Sequence, residues 1–227
     1  MNIAFFHKIC YNNNNNNIEG RFNMSGSIIT ISRQYGSGGR FVGKKLAEKL
    51  GIPFYDNELI SMAAKESGFA ESLFENAEKN TTYSLLYSLS MFGTSSGGMY
   101  GLPLSDKVFL IQSDIIKKVA DQGPCVIVGR CADYVLRERN DVVHFFFYSD
   151  IENRIDRAMK YYGLEEKKAK EAIEKTDKKR AAYYNYYTGE RWGEIKNYHL
   201  SLNTDSIGID ACVDVLAKYI EAKNSNN

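Results

Sequence analysis

The sequence carries almost no excess charge: 29 Lys and Arg against 28 Asp and Glu leave +1 over 227 residues. A chain so balanced has no global field with which to draw in nucleic acid or an anionic membrane, so any anion site must be local. Its four cysteines, Cys10, Cys125, Cys131 and Cys212, form no C-x-x-C pair. That excludes a zinc motif and a disulfide framework and leaves thiols in a reducing, cytoplasmic compartment. The three histidines, His7, His144 and His199, are scattered, two of them inside strand patterns, so neither a metal cluster nor a histidine-based triad is expected. The apolar run in Met1–Cys10 lacks a basic start and is too short to span a bilayer.

What is present is ordinary globular material, 44% hydrophobic and 25% charged, long enough for one domain or one domain with a small lobe. Residues 1–24 contain six consecutive asparagines, Asn12 to Asn17, and then Ile18–Arg21; they are expected to form a leader outside the fold, native or engineered, and Met24 is a candidate start. From residue 25 onward strands alternate with helices. Strands are expected at Ser27–Ser32, Ile52–Asp56, Pro124–Arg130, Asp141–Ser149 and Asn197–Thr204. Helices are expected at Gly39–Leu50, Asn57–Ser67, Ser105–Gln122 with Ser105 as cap, Ala132–Glu138, 150–187 with a break near Gly163, and 205–222. Residues 69–104, rich in Gly and Ser near their end, read as an insertion. Five strands separated by helices demand a parallel sheet covered on both faces. Right-handed crossovers then gather the loops "SRQYGSGGR", "YDNE" and "GRCAD" along one carboxyl edge.

The first of these loops has a strand, a glycine-rich turn and a helix, the layout of a phosphate-binding loop. Gly36, Gly38 and Gly39 let the backbone approach a ligand closely, and amides from Ser37 to Arg40 at a helix N-terminus suit a phosphate. The competing reading is a tight turn with no ligand. The Gly-Lys-Ser/Thr ending is missing: the lysine position holds Gly39 or Arg40 according to register, and no hydroxyl follows. Arg40 is the candidate replacement cation, able to grip phosphate oxygens bidentately. Arg130, after a buried strand at the ligand edge, is a second candidate. Asp56 and Glu58 follow the second strand; Asp56 either orients an acceptor or caps a helix. Arg154 and Arg157 lie three apart on one helix face, as phosphate ligands or as part of a solvated charged helix. The tyrosines between Tyr183 and Tyr187 suit packing or partner contact.

The blocks "ITISRQYGSGGRFVGKKLAEKLGIPFYDNELI", "VIVGRCADYVL" and "NYHLSLNT" resemble the bacterial cytidylate-kinase-like proteins, a branch of the P-loop nucleoside-monophosphate kinases, over about residues 27–220. The resemblance implies a five-stranded parallel sheet, a small NMP-binding insertion (69–104) and a helical lid (150–190) whose arginines meet the transferred phosphoryl group. Cytidylate kinases keep the loop lysine and place an arginine where this chain has Met62; their Gly-Arg-Asp block is here Gly129-Arg130-Cys131. The expectation is an ATP- and Mg2+-dependent phosphotransferase acting on a nucleoside monophosphate or related small molecule. Arg40, Arg130, Arg154 and Arg157 would serve the transfer, Gly36 to Arg40 the donor phosphate, and Asp56, Glu58 and Arg130 the acceptor. No nucleic-acid or membrane partner is expected, and a homodimer is compatible. The alternatives are a nucleotide-binding regulator with little or no turnover and a kinase of another small molecule.

Overall fold

The computed structural model describes residues 27–72, 74 and 103–225. The expected leader 1–24 and most of the expected insertion 69–104 lie outside the described residues. Five strands, β1 (Ile28–Arg33), β2 (Phe54–Tyr55), β3 (Val126–Val128), β4 (Val142–Tyr148) and β5 (Leu200–Asn203), form one sheet in the order β2-β3-β1-β4-β5, with every pair parallel. The helices are α1 (Gly39–Leu50), α2 (Glu58–Ser67), α3 (Leu104–Asp121), α4 (Ala132–Val135), α5 (Ile151–Tyr162), α6 (Glu166–Thr188) and α7 (Thr204–Ser225).

Alternation along the strands splits the core into two layers. Ile29, Ile31, Val143, Phe145 and Phe147 face one side, where α1 contributes Val42 and Leu46 and α7 contributes Cys212 and Leu216. Ile28, Ile127 and Val142 face the other, beneath α2 and α3, with Leu59, Val108 and Ile116 among the contacts. Helices therefore cover both faces, as a parallel sheet requires. A smaller aromatic cluster, including Phe109, Tyr183 and Trp192, docks α6 onto α3. Among the described residues, no helix is long and apolar enough to cross a membrane.

Several elements are shorter than their patterns. β2 keeps only two residues because, at the sheet edge, it pairs with β3 alone. β3 stops at Val128 because Gly129, Arg130 and Cys131 all take positive φ (77°, 56° and 55°) and turn the chain out of the sheet. α4 ends at Val135 rather than 138, and a 3-10 turn, Ile195–Asn197, replaces the start of the fifth strand. The expected cap Ser105 is displaced by Pro103, extended at φ −52° and ψ 148°, so that Ser105 sits inside the first turn of α3 with its hydroxyl on Asp106 (3.4 Å). Proline is tolerated just ahead of a helix because its missing N–H would have no intrahelical partner there. In α7, Gly208 (φ 80°, ψ 168°) interrupts two helical pieces.

Behind the sheet's ligand edge, His144 on β4 bonds Thr30 Oγ1 through Nδ1 (2.8 Å), and its own amide donates to His199 Nδ1 (2.9 Å). Burial pushes the His144 pKa from its ordinary 6.5 down to about 4, with His199 and Lys223 adding to the shift. A depressed imidazole contributes stability that is complete above pH 6.5 and is lost as pH falls toward 4, on the order of 3 kcal/mol at 1.36 kcal/mol per unit. Asp133 acts in the opposite sense, since burial raises its pKa from 3.8 to about 6 against the bond from Tyr184. The His144 share is therefore read as a difference. Urea unfolding of wild type and His144→Gln from pH 7 to pH 4 is expected to show wild type losing more stability below pH 6.5; parallel curves would show no linkage to His144.

Candidate functional site

Around β1 the chain changes direction. α1 leaves β1 over one face, whereas α4 leaves β3 over the other, so the carboxyl ends of β1 and β3 part into a crevice of the kind where open α/β sheets bind ligands. The loop after β1 is held in one shape by its glycines. Gly36 (φ 76°) and Gly38 (φ 84°) sit in the left-handed region, and a Cβ on Gly36 would lie 2.7 Å from the Arg154 carbonyl oxygen. Ser37 is fully buried, its carbonyl accepting from Thr204 Oγ1 at 2.6 Å. Gly38 takes the cap of α1, its carbonyl already receiving the Phe41 and Val42 amides (2.9 and 3.1 Å). The positive end of α1 thus opens on a cavity of ≈ 410 Å³ lined by Gly36, Gly38, Gly39 and Arg40 among others, within the range of small-ligand sites.

At Gly39, one of the two positions for the missing lysine, the backbone leaves no room for a side chain. A Cβ there would stand 2.8 Å from Phe147 Cβ and 2.9 Å from Arg33 Cβ. Both are atoms next to the backbone of central strands and cannot swing aside. The charge reaches the cavity from the strand instead: Arg33, the last residue of β1, runs over Gly129, where a Cβ would collide with its Nη1.

Three guanidiniums gather on one carboxylate. Asp56, 4% exposed, accepts from Arg40 Nε at 2.5 Å and lies 3.8 Å from Arg33 Nη2 and from Arg130 Nη1. It does not cap α2, which starts behind Asn57 without a side-chain cap. Arg180, from α6, donates to the Arg33 carbonyl (3.0 Å) and lies 5.6 Å over the Tyr35 ring. The cavity walls therefore carry Arg33, Arg40, Arg130 and Arg180 against the single acid Asp56, a strongly cationic lining in a protein of net charge +1.

Other candidates take different places. Glu58 is exposed and turns back to accept the Asp56 amide (3.0 Å), away from the cavity walls. Arg154, 6% exposed, gives Nε to the Tyr35 carbonyl (2.7 Å) and pairs with Asp177, whose other oxygen accepts the Tyr35 amide (2.8 Å). Arg157 bonds Ser149 Oγ (2.8 Å), Asp205 (2.7 Å) and, at 3.4 Å, the Gly36 carbonyl. Both arginines thus hold the loop by its carbonyls rather than lining the cavity.

Among the described residues, no hydroxyl follows the loop glycines to take magnesium. Arg40 and Phe41 follow Gly39 where a loop hydroxyl would stand, Phe41 packed on Tyr161 at 5.0 Å between ring centroids, and Asp56 is already engaged by Arg40. Among the described residues, no group of three or more His, Cys, Asp and Glu could hold a metal ion.

Arg33 and Arg180 are the charged cavity residues that the sequence pattern did not single out as ligands. Both stand outside the glycine motif, one a strand residue and the other inside a charge run; only the "SRQ" position at the end of β1 could have marked the first.

The model of the cytidylate kinase-like family matches residues 28–206. Among solved structures, an uncharacterized protein from Eubacterium ventriosum ATCC 27560 is 28% identical with a TM-score of 0.66, over 86% of this chain and 98% of its own. Shikimate kinase from Bacteroides thetaiotaomicron (17% identity, TM-score 0.52, 87% and 99% covered) and TT1252 from Thermus thermophilus (16%, 0.51, 87% and 97%) share the fold. No curated protein matches.

Proposed function

This chain belongs to the cytidylate kinase-like family, and from that premise we propose that it transfers the γ-phosphoryl group of ATP to an oxygen of a small acceptor. The observation that carries the proposal is the glycine cradle at the start of α1 opening onto a cavity walled by four arginines. Phosphoryl transfer asks little covalent chemistry of the protein; positioning and charge neutralisation do the work. Amides from Ser37 to Arg40 hold the donor phosphate. Arg33 and Arg130, with Arg180 and Arg40, neutralise charge where it builds during transfer. Asp56 aligns the guanidiniums of Arg33, Arg40 and Arg130 and orients the acceptor hydroxyl. Arg154 and Arg157 position the loop. In the reaction the γ-phosphorus breaks its bond to the bridging oxygen, which leaves on ADP with the electron pair. The phosphorus bonds the acceptor oxygen, whose proton passes to solvent. Magnesium would be held chiefly by the nucleotide's own phosphates, since among the described residues Asp56 is the one acid on the cavity wall.

The second reading is a nucleotide-binding regulator with little or no turnover. It is favoured by Phe41 at the hydroxyl position and by Met62, which packs against the core where cytidylate kinases carry an acceptor arginine. Calorimetric titration with ATP, followed by a screen for ADP release with nucleoside monophosphates and small phosphorylated metabolites, separates the two. Turnover of any acceptor supports the kinase; binding without turnover supports the regulator. Gly38→Val is expected to abolish ATP binding in a folded protein, because a Cβ there would meet Ile209 Cδ1 at 2.5 Å on a backbone at φ 84°. Unchanged ATP affinity in that variant would make the loop a turn without a ligand.

A further inference from the structure

Beside the phosphate cavity lies a smaller annex of ≈ 100 Å³. Arg33, Arg130 and Arg180 line both spaces, so the two meet at a shared arginine wall. The far walls of the annex differ in kind, being formed by Tyr183, Tyr184 and Trp192. These rings are fixed. Tyr184 Oη donates to buried Asp133 at 2.8 Å, Tyr183 Oη donates to Gln112 at 3.3 Å, and Trp192 meets Phe146 edge-on at 5.5 Å.

The backbone at the junction is strained. Arg130 and Cys131 are the two non-glycine residues with positive φ among the described residues, at 56° and 55°, and both line the annex. Such conformations are costly for residues with a side chain and gather at ligand sites. Here the strain turns the chain out of β3 and puts Arg130 at the mouth.

We propose that the annex is the acceptor pocket, and that its ligand is a molecule with a single ring bearing an anionic group, carboxylate or phosphate. The inference rests on the phosphotransferase reading and gives that site an acceptor class. Guanidinium forks match the paired oxygens of either anion. Flat aromatic walls suit a ring rather than an extended chain. The annex is the smaller of the two spaces, in proportion to one ring rather than to a base joined to a sugar. The three shared arginines then stand where the donor's terminal phosphate meets the acceptor.

Trp192 is the chain's one tryptophan, so its emission reports the annex directly and without turnover. Titrations with ribose 5-phosphate, benzoate and cytidine monophosphate, each with and without ATP, are compared. One of the two single-ring anions is expected to shift Trp192 emission saturably, the phosphate or the carboxylate arm naming the anion, and cytidine monophosphate is not. Arg33→Met and, independently, Arg180→Met are expected to raise the half-saturating concentration at least tenfold in proteins whose melting curves show them folded. No response to either single-ring probe, a tighter response to cytidine monophosphate, or an unchanged response in both folded variants would overturn the proposal. ATP binding measured by calorimetry on the same samples tests the phosphotransferase reading separately.

Discussion

Writing the missing loop lysine back into the sequence, as Gly39→Lys, is expected to destroy nucleotide binding rather than improve it. The fault lies in the first carbon of the new side chain and not in its charge. A Cβ at residue 39 meets Phe147 Cβ at 2.8 Å and Arg33 Cβ at 2.9 Å, so β4 or β1 must shift. Overpacking of this kind costs about 1–3 kcal/mol of stability. The displaced segment is also the start of α1, whose amides are to hold the phosphate. Gly39→Ala, with no charge at all, is expected to show the same loss of stability and at least a tenfold loss of ATP affinity, a tenfold change being about 1.4 kcal/mol. Denaturant unfolding and calorimetry on both variants check this. A folded Gly39→Lys protein binding ATP more tightly than wild type would mean that the loop has room for the lysine.

The companion prediction concerns where the replacement charge stands. The sequence pattern points to Arg40, next to the last glycine. The structure leaves the Arg40 side chain 43% exposed with its Nε on Asp56, while Arg33 is 18% exposed at the junction of the two spaces. A preorganised cation in a water-poor site is worth far more to a transition state than one in solvent, and losing one such donor costs on the order of 10²-fold in kcat. Arg33→Ala is therefore expected to lower kcat by about that much. Arg33→Lys should recover part of it, a point charge replacing a fork. Arg40→Ala is expected to cost only about tenfold, because exposed charges are screened. Steady-state rates with an acceptor found by the screen decide the order. A larger loss for Arg40→Ala would return the transition-state charge to the helix.

Much of the scaffold was legible because its signals are local. The continuous apolar runs at Val126–Val128 and Val142–Tyr148 could only be strands buried on both faces, and the glycine turn after Ile28–Arg33 could only open a crossover. The edge elements were misjudged for the same reason in reverse. Nothing within Ile52–Asp56 reveals that β2 has one neighbour, and nothing in Pro124–Arg130 reveals three successive positive φ values. At the site, the glycines were legible from spacing, but the partners of the arginines were not. Arg33 and Asp56 are 23 positions apart, and Arg180 meets Arg33 across 147. Arg154 and Arg157 were placed on the right helix, yet which groups their forks would grip depended on Asp177 and Asp205, which no local pattern connects to the loop.

Arg154, Asp177 and Tyr35 have a mechanical consequence. The Tyr35 amide and carbonyl are both bonded to side chains from α5 and α6, and the space above Gly36 is occupied by the Arg154 backbone. Moving those helices away would break the bonds that hold Tyr35 and uncover Gly36. On the proposed function, opening these helices and loosening the cradle for the donor phosphate would be coupled through Tyr35 and Gly36. Entry of the nucleotide, closure and assembly of the cradle would then occur as a single step, with no stage at which a finished cradle stands open to water.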